Sequence, residues 1–173
     1  MGTAGYPPND DAVHWLVNEI LPLVQSQLPG IRVVLAGRNA SQHWGQYVHE
    51  NSRLEVASGV PDTRPWLEKA TVCVVPIRTG SGTRLKILEA MSCGRPVVST
   101  TVGAEGAEAV DKRHLLIADS ASTFADAVVR LIGDKPVQAD LVRAGRQLVE
   151  NRYDWEPLIA SAMRELSSTI AEK

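Results

Sequence analysis

Val72-Cys73-Val74-Val75-Pro76-Ile77-Arg78-Thr79-Gly80-Ser81-Gly82-Thr83-Arg84-Leu85-Lys86-Ile87-Leu88-Glu89-Ala90-Met91-Ser92-Cys93-Gly94-Arg95-Pro96-Val97-Val98-Ser99 reads as buried strand, glycine-rich loop, amphipathic helix, glycine stop and second buried strand. The runs at 72–75 and 96–99 are short, apolar and rich in β-branched residues, the pattern of strands covered on both sides. Between them Gly80 and Gly82 relieve the steric limits on a backbone that must turn sharply. The helix is expected to begin near Thr83 and to end at Gly94, with Pro96 just beyond it. Backbone N–H groups from Ser81 to Leu85 then stand free at a helix N-terminus, whose partial positive charge attracts phosphate. Arg84 and Lys86 add full charges, and Glu89 follows further along the same helix. A diphosphate is the ligand this arrangement points to.

Outward from this stretch the pattern repeats. Ile31–Ala36 reads as a strand running into the turn Gly37-Arg38-Asn39, Leu54–Ala57 as a strand before the loop Ser58–Asp62, and His114–Ala118 as the last strand. The apolar face Val13, Leu16, Val17, Ile20, Leu21 and Val24 predicts a helix capped by Asn9 or Asp10 and kinked at Pro22. Short helices are expected around Trp44, Tyr47 and Val48 and over Pro65–Ala70. Longer ones are expected over Ser122–Leu131, Ala139–Glu150 and from Glu156 to about Ala171, with 102–110 a small-residue loop. Strands alternating with helices predict an α/β fold, a Rossmann-like doubly wound parallel sheet with right-handed crossovers and helices on both faces. Ligands bind such sheets outside the carboxyl ends of the strands, where the loops 37–39, 58–62 and 78–83 fall.

Composition bounds the rest. A chain of 173 residues is one domain, or a fragment of a larger enzyme, and its 44% hydrophobic share supports a buried core. A formal charge of −2 offers no support for a nucleic-acid partner. Cys73 and Cys93 lie in apolar surroundings, and neither they nor His14, His43, His49 and His114 show metal-ligand spacing. The expectation is a reduced, cytoplasmic setting with no structural disulfide and no metal. No apolar run reaches the ~18 residues that span a bilayer.

The segment Arg78 to Met91, followed by Gly94-Arg95-Pro96-Val97-Val98-Ser99-Thr100, resembles the signature of glycosyltransferase family 4 (group 1), retaining enzymes of the two-domain GT-B fold. Gly2-Thr3 through Pro8-Asn9 is similar to the loop opening that family's donor domain. Val60-Pro61-Asp62 with Trp66–Ala70, Val102–Gly106 and Tyr153-Asp154-Trp155 match further segments in order, so the resemblance covers nearly the whole chain as a single domain, 1–173. It implies the C-terminal, donor-binding half of a GT-B enzyme. Amides near Gly80, Ser81, Gly82, Thr83, Arg84 and Leu85 are then expected to hold the diphosphate of a UDP- or GDP-linked sugar, with Lys86 adding charge. Glu89 is expected to take the ribose hydroxyls, because a carboxylate accepts two charge-assisted hydrogen bonds. Arg38 and Val60 are expected to border the nucleobase. No other cofactor is implied.

Three departures accompany the match. Many members carry a second glutamate on the donor sugar, where this chain has Ser81. Many present an arginine and a lysine to the phosphates from the opening loop, where this chain has Tyr6-Pro7-Pro8-Asn9; Arg84 and Lys86 are the candidates to compensate. The strand that normally precedes Gly2 is expected to be missing or cut short. The acceptor domain, which usually supplies a catalytic histidine, has no counterpart in this sequence, so donor binding without transfer is expected of this chain, with any peripheral attachment to the inner membrane made through the parent enzyme. The alternative is a non-catalytic Rossmann-like nucleotide-binding or interaction module, on which Glu89 is a surface residue paired with Lys86; a sugar-nucleotide epimerase fits the 82–89 segment less well.

Overall fold

Parallel pairing organises the chain. The computed structural model describes residues 1–82, 84–156, 158–159 and 163–164. In chain order it holds β1 (Gly2–Thr3), α1 (Pro7–Trp15), a π-helical turn (Leu16–Ile20), α2 (Leu21–Gln27), β2 (Val33–Arg38), α3 (Ala40–Trp44), α4 (Gln46–Glu50) and β3 (Leu54–Ser58). Then come α5 (Arg64–Lys69), β4 (Cys73–Val75), α6 (Leu85–Ser92), β5 (Val97–Ser99), α7 (Thr101–Ala104), β6 (Leu116–Ile117), α8 (Ala121–Gly133) and α9 (Lys135–Arg152). The helix expected from Glu156 to about Ala171 lies almost wholly outside the described residues, as does Thr83.

The strands form two three-stranded parallel sheets, β1-β2-β3 and β4-β5-β6. β1 is present but cut to two residues, registering Gly2 with Gly37 and Thr3 with Arg38. The approach is close: a Cβ on Gly37 would fall 1.8 Å from the Gly2 carbonyl oxygen, so only glycine fits. β2 meanwhile pairs with β3 along Val33–Gly37. Side chains in β4 and β5 alternate between two apolar clusters. Val74 and Val98 join Phe124, Leu131 and Ile20 on one face, and Cys73, Val75 and Val97 join Ile87, Met91 and Leu115 on the other. Cover on both faces is why these strands read as unbroken apolar runs. Burial pushes the Cys73 thiol pKa up, as expected of a packed and inert cysteine.

Local readings shift in physically simple ways. The first helix begins at Pro7 with no side-chain cap, not at Asn9 or Asp10, because two prolines in the first turn forgo N–H groups that have no helical partner anyway. Pro22 produces its irregularity upstream, as the π-helical turn that ends just before α2. The whole apolar face Val13, Leu16, Val17, Ile20, Leu21 and Val24 is buried as expected. The 102–110 loop is partly helical: Thr100 caps α7 by accepting a hydrogen bond from Gly103 N at 2.8 Å.

Candidate functional site

The C-terminal ends of β1, β2, β3 and β4 share one edge, and each continues into a loop named by the sequence pattern. At the end of β4 the backbone turns through Gly80 at φ 101° and Gly82 at φ 92°, left-handed conformations that disfavour any side chain. Among the described residues the backbone of 78–82 makes one hydrogen bond, from Arg84 Nη1 to the Ser81 carbonyl at 3.0 Å. The loop is thus shaped by glycine and held by side chains.

Among the described residues α6 then starts without a side-chain cap, its N-cap Arg84 at φ −88° and ψ 77°. The first N–H groups of a helix have no partner within it, so they are available here to an acceptor from outside. Leu85 is 64% exposed beside them. Arg84 tucks its guanidinium under the loop, near Gly80, with Nε and Nη2 buried and without a hydrogen-bond partner among the described residues. An orphaned cation beside open helix N–H groups is suited to an anion.

Lys86 faces elsewhere. Its Nζ donates to Asn9 Oδ1 at 3.0 Å, while Asn9 Nδ2 donates to the Thr3 carbonyl at 2.9 Å. Burial, and next the Arg84 charge, lower the Lys86 pKa. Glu89 is exposed on the same helix, and Lys86 makes its hydrogen bond with Asn9. Glu89 still acts on the Lys86 ammonium through charge, without a hydrogen bond between the two. Arg38, exposed, ends β2, and its carbonyl accepts from Ala4 N at 2.9 Å. Val60, half-buried, follows Gly59, whose N–H reaches the Gly37 carbonyl at 3.2 Å. The β2–β3 register, which sets Gly37 beside Ser58, brings the Arg38 and Val60 loops together.

α1, which follows the opening loop, supplies acceptors where the resemblance leads one to look for cations. Asp11 receives Arg78 Nε at 3.0 Å and Nη2 at 2.5 Å, a two-pronged ion pair. The hydrogen bond to Asp11 is the largest influence holding the Arg78 pKa above the ordinary guanidinium value. The Arg78 guanidinium also lies 5.0 Å from the centre of the Trp15 ring, and Trp15 packs edge-on against Phe124 at 5.8 Å. No sequence signal joins Asp11 to Arg78, since only the fold brings these distant positions into contact. Two open clefts, of about 660 and 450 Å³, both reach Gly94 in the turn before β5 and lie at the opposite edge.

Residues 1–134 match the family of glycosyl transferases group 1. The chain belongs to that family. It is 30% identical over 112 residues to the D-inositol 3-phosphate glycosyltransferase of Arthrobacter sp. (strain FB24), a match covering 64% of this chain and 26% of that one. It superposes with TM-score 0.75 and 17% identity on a TarM mutant of S. aureus solved with fondaparinux, alpha-GlcNAc-glycerol and UDP, covering 94% of this chain and 34% of that one. The C-terminal domain of LpcC, a glycosyl transferase group 1 protein of Francisella tularensis, gives TM-score 0.71 at 18% identity, covering 90% of this chain and 84% of that one. The fold is therefore that of a C-terminal domain of a group 1 glycosyltransferase, and the chain spans less than half the length of the curated relatives it matches. Among the described residues no helix is long and apolar enough to cross a membrane.

Proposed function

We propose that this domain binds the nucleotide-diphosphate sugar, UDP- or GDP-linked, of a retaining glycosyltransferase whose acceptor domain lies in the rest of the enzyme. The observation that carries this reading is a start of α6 left uncapped among the described residues, beneath a glycine-shaped loop, with the buried Arg84 Nε and Nη2 beside it. In this reading the amides at Gly80, Ser81, Gly82, Thr83, Arg84 and Leu85 take the diphosphate, Arg84 neutralises its charge, and Glu89 holds the ribose hydroxyls. Arg38 and Val60 border the base. Lys86 contributes at one remove, through Asn9 and the opening loop, unless donor binding draws its ammonium to the phosphate.

Ser81 occupies the place of the usual sugar-binding glutamate and is exposed, so the sugar meets a hydroxyl and backbone amides there. Retention by this chemistry requires the leaving diphosphate to be stabilised on the donor face, the task suited to positive partial charges fixed in advance. Calorimetry with UDP and with GDP tests the reading: one of them is expected to bind, and Glu89→Ala is expected to weaken it by about 1–3 kcal/mol, the scale for leaving hydroxyls unpaired. Undetectable binding of both at millimolar nucleotide, or unchanged affinity in the variant, overturns the assignment.

A further inference from the structure

Among the described residues, the loop that would hold the diphosphate has almost no backbone support of its own, yet amides can serve as a preorganised anion site only if they are held still. What holds them is the opening loop and α1. Pro8 underlies Gly80, its Cγ 3.3 Å from where a Cβ would stand. Asn9 ties Lys86 on α6 back to the Thr3 carbonyl. The strongest tie is Arg78, the first residue of the loop, gripped by both oxygens of Asp11 and laid over the buried Trp15 ring.

We propose that Asp11 and Arg78 are positioning residues for donor binding: their ion pair, seated on Trp15, fixes the 78–82 segment so that its amides face the diphosphate together. The inference rests on the donor-binding reading for its ligand and on the geometry alone for the clamp. Each part of the arrangement suits that task. A bidentate guanidinium–carboxylate pair fixes orientation as well as distance, which a lysine cannot do. The two side chains are 40% and 35% exposed, so the pair is screened by solvent and is a weak source of global stability. Its seat is rigid, since Trp15 is 3% exposed and packs edge-on against the fully buried Phe124. The far end of the loop is tied separately, by Arg84 Nη1 on the Ser81 carbonyl. Fixing both ends of a short glycine-rich segment removes conformations that binding must otherwise remove, and so raises affinity without touching the ligand.

The experiment compares wild type, Asp11→Asn and Arg78→Lys in the 173-residue chain. Backbone 15N relaxation on the free protein reads the clamp: order parameters at Ser81, Gly82 and Leu85 are expected to fall in both variants, while those of β4 and β5 stay unchanged. Calorimetry with UDP, GDP and uridine reads its consequence. Diphosphate affinity is expected to fall by about tenfold, the effect of lost preorganisation, with weak nucleoside binding unchanged. Equal order parameters in all three proteins overturn the clamp whether or not any nucleotide binds. Lower order parameters with undiminished diphosphate affinity overturn its role in binding. Lower order parameters with no nucleotide bound by wild type leave the clamp standing and refute donor binding, and with it the positioning role.

Discussion

α6 and α8 begin in opposite ways. α8 closes its own N-terminus: Ser120 Oγ accepts from Thr123 N at 3.2 Å, and Thr123 Oγ1 accepts from Ser120 N at 3.3 Å, a reciprocal capping box. α9 does the same with Asp134, which accepts from Val137 N at 3.1 Å. Among the described residues α6 has no side-chain cap; it carries Arg84 and Lys86 where the helix dipole disfavours cations, and is preceded by glycines in left-handed conformations. A helix that only supports the core satisfies its end from within. A helix whose end is open and positively charged is stable enough to exist because its other face is packed, with Ile87, Ala90 and Met91 buried. Packing supplies the stability that capping supplies elsewhere, which leaves the terminus available to a ligand.

The largest expected effect closes the open end. Arg84→Asp removes the orphaned guanidinium and puts a carboxylate where the phosphate is placed, so nucleotide affinity should fall by about 2 kcal/mol or more, as for reversing a desolvated charge contact. Its melting temperature should hold or rise, because an acidic residue suits a helix start. Equal nucleotide affinity in calorimetry would erase the functional difference between the two helix ends. Opening the closed end gives the converse. Ser120→Ala should cost about 1 kcal/mol in denaturant unfolding, the usual value of such a cap, with nucleotide binding untouched. A loss of binding there would show that the two ends are not independent.

The smallest effect concerns pH. Lys86 is lowered chiefly by burial, so between its folded pKa and the unfolded value of about 10.4 the unfolded chain binds more protons than the folded one. Stability owed to this group therefore rises with pH across that window, as the cost of burying the ammonium fades. Lys86→Met should remove this component, giving a flatter stability curve below the unfolded value of about 10.4. Parallel curves would mean that the ammonium is better solvated than its contacts with Asn9 and Arg84 imply.

The legible and illegible parts of the molecule divide along the same line as local and distant interactions. Gly80 and Gly82, the start of α6 and its buried face were readable because steric limits and helical periodicity act over a few residues. The parallel order of strands followed from alternation. Asn9 and Asp10 looked like caps because their side chains commonly serve as caps; the fold instead sends Asn9 to Lys86 and Thr3, and Asp10 to Gly5 N and Trp44 Nε1. Lys86 looked like a phosphate ligand because its charge sits in the right turn of sequence, while its direction depends on what the opening loop offers it. Gly37 read as the first residue of a turn, but it lies inside β2, and only the passage of β1 across it makes it irreplaceable.

By itself, then, the amino-acid sequence determined the α/β class, the glycine-shaped loop, the open helix end with its nearby charges, and the likeness to group 1 glycosyltransferases. Backbone freedom, periodicity and motif order are properties of neighbours along the chain. Tertiary structure alone decided that Asp11 meets Arg78 over Trp15, that Lys86 turns to Asn9, and that Arg84 keeps buried nitrogens without partners. Those outcomes depend on which loops the parallel sheets bring to one edge, and no spacing within a single segment encodes them.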